Sequence, residues 1–274
     1  MKKIKKLINY VKLYILLKKF SKNNTIIIVF ANYQYKKILD NWLFAIQKNK
    51  IKNFLIISLD KELFNYLKKN DIQTYYFKTE INLKELWINR IILLKQILNL
   101  GYNFIHSDAD AIWLKDPLGK FFYNLNYDVI FSEGTVWPSN IHAKWGFVLC
   151  CGFFGIKSNI ATRKLLDDVY HDVNNSGDDQ VSFNNIIQQH GTKWKIDENY
   201  ELIFKGKSFI CSKKIIYGNN PYYKVALLPH YLFQRVNEDT KTVYIKHLIS
   251  EKKSESIVEL LKKNDLFFIE KNVN

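Results

Sequence analysis

The chain contains little cysteine, arginine or proline. Its 274 residues include three cysteines, four prolines and three arginines. Cys150, Cys151 and Cys211 are too few and too unevenly spaced for a disulfide framework, and they include no pair with zinc-site spacing. Cys150 and Cys151 lie in an apolar run, which is typical of cysteines that pack as small hydrophobic side chains. A reducing compartment, and therefore a cytoplasmic protein, is expected.

Acidic residues are also scarce relative to lysine. There are 41 basic and 26 acidic residues, so the net charge is +15. A solvated lysine surface explains this charge, and attraction to nucleotides, anionic lipid or acidic polymers is the functional alternative. The sequence has no helix-turn-helix, zinc-finger or RNA-recognition signature, so nucleic acid is not expected as a partner.

No uncharged hydrophobic run is long enough to cross a bilayer. The apolar stretch 7–17 is interrupted by Lys12 and is too short, and no small-residue cleavage site follows it. Its apolar residues nevertheless share one helical stripe, which consists of Ile4, Leu7, Ile8, Val11, Tyr14 and Ile15. Residues 1–22 are therefore predicted to form a basic amphipathic helix, followed by one domain over 23–274. The helix either packs on that domain, which is the favoured interpretation, or lies on the cytoplasmic face of an anionic membrane through residues 1–20.

Strands and helices alternate through the first half of the chain. β-branched runs predict strands at 24–32, 53–60, 72–77 and 102–110, and helical spacing predicts helices between them, the last ending at Gly101. The second half predicts strands at 127–134 and 146–158, helices at 159–173 and 178–190, and short strands including 242–249. A final helix is predicted to begin near Ser256, where Ser256 and Glu259 have capping-box spacing. This pattern predicts an α/β fold with a mixed, mostly parallel sheet flanked by helices.

Two carboxylates, Asp108 and Asp110, follow the apolar strand "YNFIHS". On a continuing strand they would point to opposite faces, but if the strand ends at Ser107 both can approach one cation. Hard oxygen ligands of this kind hold a divalent metal against a diphosphate. The apolar segments on both sides indicate that the pair does not lie on an open polar loop. A buried acidic pair would be costly without a counterion.

Other polar residues are weaker candidates. Asp179 and Gln180 in "SGDDQVSFN" lie either at the rim of a pocket or at a helix start, where Asp178 or Asp179 would serve as N-cap. His247 is a candidate third metal ligand, although an isolated histidine is more often structural or exposed. Lys252 and Lys253 are either phosphate ligands or solvated lysines.

The segments "LNLGYNFIHSDADAIWLKDPL", "CCGFFGIKS", "GDDQVSFN", "LLP" and "YIKHLI" together resemble the nucleotide-diphospho-sugar transferase family. That family includes the arabinosyl- and xylosyltransferases of glycosyltransferase family 77 and is related to the glycogenin-like enzymes. The resemblance covers roughly residues 25–250 and implies a GT-A fold, which is a Rossmann-like sheet that holds a nucleotide sugar. Ser250 occupies a position where related enzymes often have glycine, which weakens the implied phosphate contacts of that loop.

The resemblance also implies roles for individual residues. Mn²⁺ or Mg²⁺ would be held on the diphosphate by Asp108, Asp110 and His247. The nucleotide sugar would be bordered by Asn32, Asp60, Arg90, Asp108 and Lys253, and Arg90 would reach either a phosphate or a carboxylate of the site. Asp179 and Gln180 would be the catalytic residues at the donor sugar, with Asp179 as the candidate nucleophile and Gln180 orienting the sugar.

The expected function is transfer of a sugar from a nucleotide-diphosphate sugar, with UDP as the default nucleotide, to a glycan, lipid or protein acceptor with retention. The sequence leaves two alternatives: a non-catalytic sugar-nucleotide- or membrane-binding protein, and a metal-dependent phosphatase. Aromatic loops at 134–146 and 217–235 are candidates for the acceptor side, where Trp137, Trp145 and Tyr231 either stack on sugars or pack in the core. The oligomeric state is left open.

Overall fold

The structure, a computed structural model, describes residues 2–79, 82–240, 242–251 and 253–270. Its helices are α1 (Lys2–Phe20), α2 (Lys36–Lys48), α3 (Lys61–Lys69), α4 (Leu83–Asn99), α5 (Ser139–Trp145), α6 (Ile160–Ser176), α7 (Asp179–Gln189) and α8 (Ser254–Lys263). Its strands are β1 (Thr25–Ala31), β2 (Phe54–Ser58), β3 (Thr74–Tyr76), β4 (Asn103–Ser107), β5 (Ile112–Trp113), β6 (Val129–Glu133), β7 (Leu149–Ile156), β8 (Asn199–Phe204), β9 (Lys207–Ser212), β10 (Ile216–Gly218), β11 (Val225–Leu228), β12 (Phe233–Gln234) and β13 (Ile245–Lys246).

Eight strands form the central sheet, in the order β10-β11-β6-β7-β4-β1-β2-β3. Strands β1, β2, β3, β4, β6 and β11 share one direction, whereas β7 and β10 run antiparallel to their neighbours. β12, β13 and β5 form a small separate sheet, and β8 and β9 form a hairpin. The predicted mixed, mostly parallel sheet is thus confirmed.

Residue alternation along β1 divides the core into two layers. Ile27 and Val29 pack with helices α2, α3 and α8 on one face of the sheet. Ile26 and Ile28 pack with α1, α4, α6 and α7 on the other. Because successive side chains of a strand point to opposite faces, a run of β-branched residues suits a sheet that is covered on both sides.

The predicted elements of the first half are confirmed, and α4 ends at Asn99 just before Gly101, whose φ is +86°. Two predictions of the second half need correction. α8 begins at Ser254, after Lys253 as N-cap, so a helix that starts with a capping box at Ser256 is wrong. The predicted strand 242–249 reduces to β13, because only two residues pair there with β5.

Residues 2–20 form helix α1, as the sequence predicts. Among the residues that the structure describes, no helix combines the length and the apolar character needed to cross a bilayer.

Candidate active site

A cleft of about 810 Å³ lies at the ends of the parallel strands β1 and β4. β4 ends at Ser107, and the chain then turns, with the N–H of Ala111 donating to the carbonyl of Asp108. The turn is anchored because the N–H of Asp108 donates to the carbonyl of Gly152 on β7 (2.7 Å). Both acidic side chains therefore line the same cleft.

Ser107 fixes this turn from the core side. Its buried hydroxyl accepts hydrogen bonds from the indole N–H groups of Trp42 (3.2 Å) and Trp113 (3.1 Å) and donates to the carbonyl of Asp108 (3.1 Å). A hydroxyl has one donor and two acceptor positions, so Ser107 is fully satisfied. Two core tryptophans thereby hold the strand end that carries the acidic pair.

Asp108, Asp110 and His247 converge on one point. His247 Nε2 lies 3.3 Å from Asp110 Oδ1 and 3.7 Å from Asp108 Oδ2. One ligand atom from each residue can be chosen so that all three lie within 4.8 Å of one another. The structure thus brings together the three residues proposed from the sequence as metal ligands.

His247 reaches this point because β13 pairs antiparallel with β5, which follows the acidic turn. The N–H of His247 donates to Gln234, and Arg235 Nη1 donates to the carbonyl of His247 (2.7 Å). The thiol of Cys150 lies 3.9 Å from His247 Nδ1. The histidine backbone is therefore held at both its N–H and its carbonyl.

Gly152 provides the space in which these ligands meet. A Cβ atom built there would overlap the His247 ring and lie 2.8 Å from Asp108 Oδ2. No other residue type fits at this point without displacing two of the three candidate ligands. Sequence reasoning missed Gly152, although a glycine in the apolar run "CCGFF" was the available signal.

Arg90, buried on α4, connects the acidic pair to α7. Its Nη1 lies 3.3 Å from Asp108 Oδ1, and its Nε and Nη2 both contact Asp179 Oδ2. Its guanidinium also lies 4.3 Å from the centre of the Trp87 ring. The sequence left open whether Arg90 reaches phosphate or a carboxylate, and the structure places it on two carboxylates.

His106 supports Asp108 from within β4. Its Nε2 lies 3.0 Å from both Asp108 Oδ1 and Arg90 Nη1, and its buried Nδ1 has no partner among the described residues. A tautomer with the proton on Nε2 donates to Asp108 and leaves a bare acceptor at Nδ1. The opposite tautomer would let Nε2 accept from Arg90 Nη1, but it would bury an unpaired donor at Nδ1 and lose the bond to Asp108.

The electrostatics follow from burial and charge. Burial alone would raise the pKa of Asp108, but the hydrogen bond from His106 and the charges of Arg90 and His247 hold it well below its usual range. Burial and Arg235 act to lower the pKa of His247, but Asp110 outweighs them and raises it to about 9. Burial outweighs Arg90 and raises the pKa of Asp179 to about 6, so this carboxyl remains mainly ionised at neutral pH.

Asp179 and Gln180 begin helix α7, whose N-cap is Asp178 through a hydrogen bond from the N–H of Val181. Asp179 is only 2% exposed and pairs with Arg90. Gln180 accepts from the N–H of Cys151 (3.1 Å) and donates to the carbonyl of Trp137 (2.8 Å). Both residues line the cleft, and Gln180 additionally ties the Trp137 loop to β7.

The remaining predicted residues are distributed unevenly around the cleft. Asn32 and Asp60 line it, but both are also helix caps, and Asp60 accepts from the N–H groups of Tyr33 and Leu63 (2.7 Å each). Lys253 is exposed at the start of α8 and is not part of the cleft lining, which includes Ser250 from the same loop. Direct phosphate contact by Lys253 therefore has no support from its position here.

Comparisons with known proteins show which proteins this chain is similar to. The chain is 25% identical to arabinosyltransferase RRA1 of Arabidopsis thaliana over 62% of its own length and 48% of the relative's. It is 24% identical to the UDP-galactose:fucoside alpha-3-galactosyltransferase of Dictyostelium discoideum over 49% of its own length and 21% of that protein. The chain thus spans half or less of the length of these curated relatives.

Among solved structures, the galactosyltransferase LgtC aligns with a TM-score of 0.48 at 12% identity, covering 86% of this chain and 95% of that one. The sequence model of the family described as nucleotide-diphospho-sugar transferase matches residues 49–258, which is well over half of the chain. The matched range includes the acidic turn, Asp179, Gln180 and His247. The chain therefore belongs to the nucleotide-diphospho-sugar transferase family, as its sequence motifs predict.

Proposed function

We propose that this protein is a metal-dependent glycosyltransferase that uses a UDP-sugar as donor and a glycan, free or carried on lipid or protein, as acceptor, with retention at the anomeric carbon. One observation carries the proposal: Asp108, Asp110 and His247 converge in a large cleft, beside a buried Arg90–Asp179 pair. Its volume of about 810 Å³ falls within the range of ligand pockets, about 300–1,000 Å³.

The three residues fit Mn²⁺ or Mg²⁺. Two carboxylates and one imidazole form a hard donor set, with nitrogen favouring Mn²⁺ over Mg²⁺. Gly152 leaves room that any side chain would fill. When bound, the metal would supply positive charge that stabilises the diphosphate leaving group. The metal set would thus be Asp108, Asp110 and His247.

Arg90 and His106 hold the carboxylates of the cleft in position. Arg90 contacts both Asp108 and Asp179, so its charge is balanced by carboxylates and it acts as a positioning residue. His106 donates to Asp108 and keeps that carboxylate ionised and oriented. Asp108 is consequently presented in one fixed orientation.

Retention allows two routes, a carboxylate nucleophile on the opposite face of the sugar or attack by the acceptor from the same face. Asp179 is the nucleophile suggested by the sequence. Its Oδ2 is engaged by two nitrogens of Arg90 and its side chain is 3% exposed, both of which reduce nucleophilic reactivity. We therefore favour same-face attack, with Asp179 and Gln180 bordering the donor sugar.

Trp137 is our candidate for acceptor contact. It lines the cleft, is 56% exposed, and its carbonyl is held by Gln180. Trp145, by contrast, packs against Phe147 and Trp194. An exposed indole at a cleft mouth is suited to stacking on a sugar ring.

The donor and metal are tested together by a thermal-shift panel of nucleotide sugars with and without Mn²⁺. Stabilisation should require both a UDP-sugar and the metal, and the Tm should rise with ligand concentration. The products formed from the donor then distinguish the two reactions. Sugar transfer releases UDP, whereas a phosphatase releases inorganic phosphate. Stabilisation without any turnover would favour a non-catalytic binding protein.

Asp110→Asn tests the metal assignment, with Asp239→Asn at an exposed position as the matched control. The first variant should lose metal-dependent turnover while it keeps the wild-type Tm without metal to within a few degrees. The control should retain both. A folded Asp110→Asn protein with wild-type activity would show that the metal does not bind here.

Trp137→Ala tests the acceptor contact, with Tyr222→Ala as a control at another exposed aromatic residue outside the cleft lining. We expect transfer to sugar acceptors to fall about two- to tenfold, because one lost aromatic contact corresponds to roughly 0.5–1.5 kcal/mol. Donor hydrolysis by water should be unchanged. An equal loss of hydrolysis and transfer would assign Trp137 to donor binding instead.

A further inference from the structure

Helix α1 has two apolar faces, of which the fold uses one. Leu13 and Leu17 are fully buried against the sheet layer that contains Ile26, Ile28 and Leu55. The hydroxyl of Tyr75 on β3 also donates to the carbonyl of Asn9 in the middle of the helix (3.2 Å). These contacts attach α1 firmly to the domain.

The opposite face of α1 is exposed although it is apolar. Its members share one helical stripe and are 41–63% exposed; they are Leu7, Ile8, Val11, Tyr14 and Ile15, which we call the α1 stripe. With 3.6 residues per turn, this stripe lies on the side of the helix opposite Leu13 and Leu17. The helix does pack on the domain, as the sequence favoured, but it does so through Leu13 and Leu17. Apart from the edge contact of Tyr14 with Tyr102, that packing does not account for the apolar character of the α1 stripe.

The charge around the α1 stripe is of one sign. Residues 1–39 contain ten lysines and no acidic residue. Lys12 and Lys19 flank the stripe, Lys18 extends it, and all three are exposed. A partner for this face must therefore be anionic and must also offer an apolar layer.

We propose that the α1 stripe docks the protein on the surface of an anionic phospholipid bilayer. Such a surface presents negative headgroups to the lysines and, a few ångströms deeper, acyl chains to the leucine, isoleucine and valine side chains. An acidic soluble polymer would meet the lysines but would leave the apolar residues in water. The helix would lie in the interface without spanning it.

The first test is co-sedimentation of the full chain with vesicles. Vesicles of equal parts phosphatidylglycerol and phosphatidylcholine should bind the protein, and pure phosphatidylcholine vesicles should bind it much less. Binding should weaken with added salt, because lysine–headgroup attraction is screened. Equal binding to both vesicle types, or to neither, would overturn the proposal.

Two variants separate the apolar and electrostatic contributions. Val11→Ser with Ile15→Ser should reduce partitioning at least tenfold, because two of the five apolar side chains of the stripe no longer insert. Lys12→Gln, Lys18→Gln and Lys19→Gln together should reduce it about 100-fold, since each lysine near such a surface contributes about fivefold. Ile160→Ser with Ile203→Ser is the matched control, because these residues are 86% and 72% exposed elsewhere.

A dye attached to the α1 stripe reports its insertion directly, whether or not the serine and glutamine variants fold. The native cysteines are all buried, so an environment-sensitive dye on Val11→Cys labels one site. Its emission should shift to the blue on anionic vesicles, while the same dye on Ile203→Cys should not shift. Light scattering tests whether a second copy of the chain covers the α1 stripe instead. The proposal would be overturned if the wild type formed a dimer and did not bind vesicles, and if Val11→Ser with Ile15→Ser dissociated that dimer.

Discussion

The substitution Gly152→Ala tests the assembly of the site most directly. Its Cβ would overlap the His247 ring and lie 2.8 Å from Asp108 Oδ2, whereas ordinary contact begins at 3.4 Å. The carbonyl of Gly152 also accepts from the N–H of Asp108, so a shift of the backbone that relieved the overlap would displace the acidic turn. Either His247 moves by about 1 Å or more or the turn that carries Asp108 moves, and both exceed the tolerance of about 0.2 Å in a metal–ligand distance.

The expected loss follows from that displacement. A misplacement of about 1 Å at a reacting centre can cost about 100-fold in rate. Disturbed metal ligation usually costs about 10–100-fold in affinity. We expect Gly152→Ala to weaken Mn²⁺ binding at least tenfold, by calorimetric titration, and to lower the rate of UDP release about 100-fold at fixed Mn²⁺.

Gly155→Ala is the matched control on the same strand. A Cβ at Gly155 would lie 2.9 Å from Phe122 Cε1 and 3.2 Å from Ile130 Cγ2, which are core atoms. Overpacking of this kind costs about 1–3 kcal/mol, so this variant should lose stability while it keeps wild-type Mn²⁺ affinity. If a folded Gly152→Ala protein kept wild-type Mn²⁺ affinity and turnover, the convergence of His247 and Asp108 on one ion would be refuted.

Three further predictions concern buried charges. Arg90→Met should lower the free energy of unfolding by about 3–5 kcal/mol in denaturant titrations, because Asp179 loses its buried partner, and adding Asp179→Asn should restore much of it. His247 must lose its proton to bind metal, and its pKa is raised to about 9, so Mn²⁺ affinity should rise about tenfold per pH unit from pH 7 to 9 and then level off. Burial raises the pKa of Glu133, so its neutral form stabilises the fold at low pH and this contribution is lost as pH rises; Glu133→Gln should raise the Tm at pH 8 but not at pH 4.

The sheet could be predicted because its signals are local. Runs such as "TIIIVFA" on β1 fit a strand that is buried on both faces, and Gly101 adopts the positive φ that follows a helix end. The start of α8 could not be predicted in the same way. Ser256 and Glu259 have capping-box spacing, but the helix already begins at Ser254, and it packs through Ile257 and Leu261. Tertiary burial therefore outweighed the local capping pattern.

Only part of the site could be predicted from the sequence. Asp108 and Asp110 could be placed because they follow the end of an apolar strand. The approach of His247 depends on β5 pairing with β13, which has no local signature and was implied only by the family resemblance. Likewise, nothing local predicts that Arg90 pairs with Asp179, a residue 89 positions away, or that Arg235 holds the backbone of His247.

The two-residue pairing of β5 with β13 is therefore the structural step on which the site depends. Asp110 lies two residues before β5 and His247 immediately follows β13, and the antiparallel register places Lys246 opposite Ile112. The two metal-ligand candidates thus lie at the same end of one short ladder, which explains their 3.3 Å approach. A ladder this short supplies few hydrogen bonds, so an ion bridging Asp110 and His247 would also stabilise the closure of the C-terminal segment onto the sheet. Binding of an ion there would therefore be coupled to the ordering of residues 242–250.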